Sequence, residues 1–251
     1  MTAVSFSQEV FKSSQAYLPR SKCVGASAKE FMDEQIEFIL NHRATQHPFL
    51  LQYSQLGLPR HKSKILYLET LHYFKNLPFY VCAIATLTRD EAVLRSIAFN
   101  ACDELGLKKS HAELYKDFLF AKGISKAEIE TYECLPSTQS LNDGICALYS
   151  KPPLQKALGG LFADEAMSAC MVGMYNDGLI QEGVSKKNRA FWILHMEVEV
   201  GHSNAVFNVM EKHLETESER HMFIVGICQY LHLMEVFWDG VERKVQAQEL
   251  K

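Results

Sequence analysis

The stretch ILHMEVEVGHS, Ile193–Ser203, decides how the chain is read, because it sets three ionisable side chains on what is otherwise the apolar face of a helix. On an ideal helix, offsets of four and seven residues return to within about 40° and 20° of the start. His195, Glu199 and His202 therefore share one face, while Glu197 points elsewhere. Burying such groups costs several kcal/mol unless each finds a hydrogen bond, a counterion or a metal. A shared metal would answer all three, since imidazole nitrogen and carboxylate oxygen suit iron, manganese or zinc, and open coordination positions suit oxygen chemistry. A polar groove, or a network among the three side chains, is the other reading of this helix.

Outward from this stretch the chain reads as helices separated by short breaks. Apolar periodicity predicts helices over Ala28–His42, about Lys62–Leu87 with a kink or break at Pro78, from near Arg89 to Gly106, from Ser110 to about Ala121 and roughly Leu154–Gln181. Shorter pieces are expected at Lys126–Glu133 and Ser140–Tyr149, bounded by Pro136 and the Pro152–Pro153 pair. The quoted stretch falls in a helix from about Ser185 to Leu214, and a last helix starts near Glu217. Seven or eight helices around one core, in a single domain spanning residues 1–251, is the expected architecture. A content of 13 Gly and 7 Pro is poor in the turn residues that many short strands need.

Two further pieces carry ligand-type residues. NACDELGLKKSHAELYKDF contains Glu104 and His111, which share a face if the helix is continuous. Gly106 and Ser110 also read as a helix stop and an N-cap, so that continuity is open. Glu165 stands in GGLFADEAMSACMVGMY, where Asp164 and Glu165 are expected to face different ways, one inside and one wet. Together the pattern is E-x6-H, a single Glu 54 residues after His111, and H-x3-E-x2-H beginning 30 residues later. Three carboxylates and three imidazoles can hold two divalent irons with one residual positive charge.

This six-residue pattern resembles the heme-oxygenase-like diiron oxidases and oxygenases, a family that includes the chlamydial protein described as associating with death domains and enzymes acting on amino or fatty acids. The last helix, with HLMEVFWDG around Glu235 and Trp238, is similar to the wider superfamily of type II thiaminases and the pyrroloquinoline-quinone synthase. The resemblance implies an all-α, heme-oxygenase-like seven-helix bundle that needs no heme. Its metal ligands would be Glu104, His111, Glu165, His195, Glu199 and His202, with Glu165 as the candidate bridge. It further implies two Fe(II) ions, O2 as co-substrate, a peroxo-diferric intermediate, and oxidation of a small metabolite, an amino acid or derivative by preference, by N-oxygenation or oxidative carbon–carbon cleavage. A homodimer and an external electron donor fit the same family. The para-aminobenzoate-forming branch carries Lys about ten residues after the middle Glu, where this chain has Tyr175.

Tyr175, His72 and Cys170 are the candidate pocket residues, each with a plain packing role as its alternative. Two other functions stay open: a metal-free, thiaminase-like hydrolase using Cys170 and Glu235, and a non-catalytic partner-binding helical protein. A net charge of -4 supplies no basic field for nucleic acid. The longest apolar run, Leu77–Leu87, is far shorter than the roughly 20 residues a membrane span requires. The N-terminus lacks the basic start and apolar run of a secretory signal, which predicts a cytoplasmic protein. The seven scattered cysteines are expected to be mostly buried thiols.

Overall fold

The computed structural model describes residues 26–196, 207 and 209–249, and every regular element among them is helical. In chain order these are α1 Ala28–Asn41, α2 Pro48–Leu56, α3 Arg60–Phe74, α4 Leu77–Ile84, α5 Glu91–Leu105 and α6 His111–Ala121. They continue with α7 Lys126–Thr131, α8 Pro136–Ser150, α9 Leu154–Gln181, α10 over residues 190–196, and α11 Glu217–Gln246. None is long and apolar enough to cross a membrane.

Several boundaries follow from capping chemistry. Ser27, Ser110, Ser125 and Thr216 each form a capping box with a Glu three residues on, which satisfies the first orphan amides of α1, α6, α7 and α11. The segment expected to run from Lys62 to Leu87 is two helices, because Lys75 and Asn76 turn the chain and Pro78 sits in the first turn of α4, where its missing N–H costs nothing. Pro136 likewise opens α8 four residues before the expected start. The segment 48–56 is a helix that periodicity did not reveal; Pro48 starts it and the buried His47 caps it through Nδ1.

Two long helices, α9 and α11, pack against each other through glycine. A Cβ on Gly159 would lie 2.0 Å from the Phe223 carbonyl oxygen, and one on Gly226 would lie 2.0 Å from that of Lys156. Glycine inside a helix costs about 1 kcal/mol each. Fully burying a large apolar side chain returns about 1.5–3 kcal/mol, so the fully buried Phe162, Phe223 and Phe237 on these helices outweigh that cost. The close approach fixes the register of α9 against α11, which brings Asp164 beside Tyr230. Helix α2 covers α9, α8 covers α11, and α3 packs against α11, α8 and α6.

The cysteines depart from expectation. All six among the described residues are free thiols, but only Cys228 is buried, while Cys82, Cys102 and Cys146 lie on outward helix faces.

Candidate metal centre

Helix α5 ends where Gly106 turns left-handed at φ 60°, and α6 begins with Ser110 as its cap. A side chain at Gly106 would collide with the Lys109 carbonyl at 2.1 Å, so only glycine makes this turn. The helix is therefore broken between Glu104 and His111, yet the tight corner brings them together: His111 Nδ1 lies 3.2 Å from Glu104 Oε2. The broken-helix reading and the paired reading are both right.

His195 on α10 completes this group. Its Nδ1 lies 2.7 Å from the Phe191 carbonyl oxygen, which can only accept, so Nδ1 carries the proton and Nε2 keeps its lone pair. That Nε2 is 3.1 Å from His111 Nδ1. One proton, on His111 Nδ1, thus faces two acceptors. Each separation, 3.1 or 3.2 Å, is that of neighbouring ligands on one ion with bonds of about 2.0–2.1 Å, although the ligand atoms of Glu104, His111 and His195 do not all lie within 4.8 Å of one another. Burial, then the charge of His111, holds His195 below the ordinary imidazole range, the neutral form a ligand needs. For His111 burial works downward, but the hydrogen bond and charge of Glu104 outweigh it and raise its pKa.

Glu165 on α9 faces the same cavity, which is also lined by Leu77, Val81, Asn100, Asp103 and Ser168. Among the described residues its one hydrogen bond is from Asn100 Nδ2 at 2.6 Å. Burial, reinforced by neighbouring Asp164, pushes Glu165 up to about 8. A carboxylate this poorly solvated has one neutral donor and no cation beside it among the described residues, and the chemistry of the donor set fits iron.

Asp164 corrects the expectation that one of the adjacent acids would be wet. It is only 4% exposed and lines the cavity together with Glu165. Its Oδ1 accepts from the Tyr73 and Tyr230 hydroxyls, at 3.0 and 2.5 Å. Asn100 and Asp164 were the residues sequence reading missed. Asn100 lies one turn before Glu104, a signal that could have been used; the role of Asp164 depends on tyrosines from two other helices.

The remaining candidates divide. Tyr175 is buried and lines the adjoining part of the cavity with Phe74, Met171, Phe191 and Trp192; its hydroxyl meets those of Thr70 and Tyr115 at 3.3 and 3.2 Å. His72 and Cys170 line neither part. His72 turns toward Tyr132 and Lys75, and Cys170 accepts from Gln46 at 3.5 Å. Glu235 pairs with Arg43 at 2.8 Å at the surface. Glu199 and His202 lie outside the described residues.

Among the described residues the group of three ligand types whose atoms all lie within 4.8 Å of one another is a different one, His47, Asp239 and Glu242. There His47 Nδ1 accepts the Phe49 amide, which leaves Nε2 to donate to Asp239 at 3.1 Å, and Arg43 already pairs with Asp239 at 2.7 Å. No imidazole lone pair remains, so this group holds the start of α2 and not an ion.

Comparison with known proteins bears on the family of the chain as a whole. The model of a family described as iron-containing redox enzyme matches residues 67–235. The chain is 42% identical over 217 residues to the 4-chloro-allylglycine synthase of Streptantibioticus cattleyicolor, covering 86% of this chain and 84% of that one. It is 25% identical over 229 residues to the 4-aminobenzoate synthase of Nitrosomonas europaea, covering 85% and 92%. A solved domain of unknown function with a heme oxygenase-like fold, from Shewanella denitrificans, superposes with a TM-score of 0.73 at 16% identity, covering 88% of this chain and 93% of that one. The chain thus has the heme-oxygenase-like fold and belongs to the iron-containing redox enzyme family. It is a redox enzyme.

Proposed function

We propose that this protein is an O2-dependent, non-heme diiron oxidoreductase whose substrate is an amino acid or a close derivative. The observation that carries the reading is that Glu104, His111, His195 and Glu165 line one cavity, with His111 Nδ1 3.2 Å from Glu104 and 3.1 Å from His195. The similarity to a synthase named for 4-chloro-allylglycine supports an amino-acid substrate. Glu199 and His202 are proposed as the remaining ligands, and Glu165 as the one shared by both ions. A cytoplasmic homodimer served by an external reductant goes with this reading.

Two ferrous ions would supply the electrons with which O2 is activated. The protein's own work is positional. Phe191 holds the proton on His195 Nδ1, so that Nε2 is always the ligand. Asn100 fixes the orientation of the Glu165 carboxylate by holding one oxygen. To bind metal through Nδ1, His111 would carry its one proton on Nε2, on the side of Asp103 Oδ2 at 3.8 Å, so a proton would be released only from the imidazolium form that Glu104 favours. Phe74, Phe191 and Trp192 exclude water from one side of the cavity, and Tyr175 with Thr70 and Tyr115 presents hydroxyls there to orient substrate.

Anaerobic reconstitution with ferrous iron tests the reading. About two irons per chain and O2 uptake accelerated by an amino acid are expected, in line with the six proposed ligands. Failure to retain iron together with no O2 consumption overturns it. A metal-free hydrolase using Cys170 and Glu235 finds no support, since neither residue lines the cavity.

A further inference from the structure

A line of rings in contact leads from the metal cavity to the surface. The Phe191 ring lies 4.1 Å from that of His195 and 5.1 Å from that of Trp192. Trp192 stacks on Tyr175 with centroids 5.3 Å apart, and Tyr175 is 6.3 Å from Tyr67. Trp192 and Tyr175 line the cavity, whereas Tyr67 lines an open pocket on the surface with Arg60, His61, Lys64 and Lys122. Trp192, Tyr175 and Tyr67 thus span the wall between the two, and indole and phenol are side chains that can give up a single electron.

Aromatic packing explains the ring contacts, but not what the hydroxyls meet. Burial holds the Tyr67 and Tyr175 phenols far above their ordinary range, so neither ionises. Such a phenol yields an electron only where its proton has a base to go to. Tyr67 donates to Glu182 Oε2, and Lys122 Nζ pairs with the same oxygen at 2.8 Å. The Tyr175 hydroxyl meets only those of Thr70 and Tyr115 among the described residues, and neither is a base. A buried ion pair adds little stability over apolar packing. The Glu182–Lys122 pair, with side chains 5% and 18% exposed, therefore has a use beyond packing to explain it, as the proton acceptor of Tyr67.

We propose that Trp192, Tyr175 and Tyr67 form a relay that carries an oxidising equivalent out of the metal cavity when no substrate is there to consume it. The relay rests on the O2-dependent reading above and adds to it a means of protecting the protein. Trp192 gives up an electron on the cavity side and is refilled from Tyr67 through the Tyr175 ring between them. As Tyr67 is oxidised, its phenolic proton moves to Glu182 Oε2, which leaves a neutral phenoxyl radical beside a carboxylic acid. Tyr175 has no such base, so the radical settles on Tyr67. Arg60, Lys64 and Lys122 outnumber Glu128 and Glu182 around this end, and the surplus positive charge draws in a small anionic one-electron reductant of the ascorbate class. It returns the electron, Glu182 returns the proton, and the reductant leaves as its own radical.

Metal-free, full-length protein carrying Trp238→Phe, so that Trp192 is its only indole, tests the relay without iron. A laser pulse on the indole band photoionises Trp192, hexaamminecobalt(III) takes up the ejected electron, and transient absorption and electron paramagnetic resonance follow the radical. Indolyl absorption is expected to give way to phenoxyl absorption, which added ascorbate removes. Tyr67→Phe keeps the ring contacts and should abolish the phenoxyl signal. Glu182→Gln keeps a hydrogen-bond acceptor but removes the base, and should slow the rise of that signal. An indolyl radical that decays without any phenoxyl, a phenoxyl signal of unchanged size in Tyr67→Phe, or an unchanged rise in Glu182→Gln would each overturn the proposal. In a second arm, ferrous-loaded protein is given O2 without substrate. Oxidised Trp192, read by peptide mass spectrometry, should accumulate faster in Tyr67→Phe than in the natural protein, and equal accumulation would overturn the protective role. Should the natural protein take up no iron, the diiron reading fails, while the photoionisation arm still decides whether the route conducts.

Discussion

Glu69 and Glu165 are both carboxylates set inside the bundle, on α3 and α9, and their surroundings differ sharply. Glu69 is fully buried and accepts from the Tyr132 and Thr138 hydroxyls and from the Leu135 amide at 3.1 and 3.2 Å. Glu165 has Asn100 alone among the described residues, with Asp164 as a repelling neighbour. One region ties α3 to the start of α8 and is complete as it stands. The other is short of positive charge, which is what a structural carboxylate avoids and a ligand requires.

Exchanging the two losses gives the sharpest break of this comparison. Glu69→Ala strands three donors, one of them buried and two half-buried, and is expected to destabilise the fold by about 3–5 kcal/mol, read by denaturant unfolding, with the surviving folded protein still loading iron. Glu165→Ala should leave the metal-free protein within about 1 kcal/mol of its original stability and reduce bound iron severely, read by metal content. Equal destabilisation by both would erase the distinction drawn here.

A smaller effect is expected at the donor that Glu165 does have. Asn100→Ala should weaken iron binding by about tenfold, as removal of a group that orients a ligand typically does, without lowering the melting temperature comparably. An anaerobic iron titration checks it; unchanged affinity would mean that Glu165 is positioned by the metal alone.

The smallest effect is the pH response near Glu69. Burial, with Lys75 nearby, holds His72 down to about 4. A histidine with a depressed folded pKa stabilises the protein fully above its unfolded value near 6.5, and this contribution is lost as pH falls from there towards 4. Partial burial limits the loss to about 1–2 kcal/mol. His72→Gln should flatten the stability profile across that window, measured by melting at successive pH values.

Much of this was legible before any coordinates. Leu154–Gln181 reads to the residue from its apolar pattern and its proline boundary, and the capping boxes at Ser110 and Thr216 are visible in the letters. The pairing of Glu104 with His111 is legible in spacing, although it arises from a turn and not from one helix. The helix 48–56 was hidden, because a short segment capped by a buried histidine carries neither the usual cap nor a long apolar period. Asp164 was half-read for a different reason: its surroundings are the hydroxyls of Tyr73 and Tyr230, each on a helix distant in sequence, and only packing brings them together. His72 and Cys170 show the converse, polar or reactive types whose helix faces turn away from the cavity.

The glycine contact between α9 and α11 has a bearing on how this scaffold can change. With Gly159 and Gly226 already against opposing carbonyls, the two helices can neither close further nor accept a methyl group without separating. One side of the cavity is therefore a rigid mould, and it holds Glu165, Asp164 and Trp238 in place together. Reshaping for a longer or bulkier substrate has to come from the opposite side, at Thr70, Phe74 and Phe191, where side chains and not backbones set the limit. A library confined to those three positions should alter which molecule is accepted while the reactive end stays where it is.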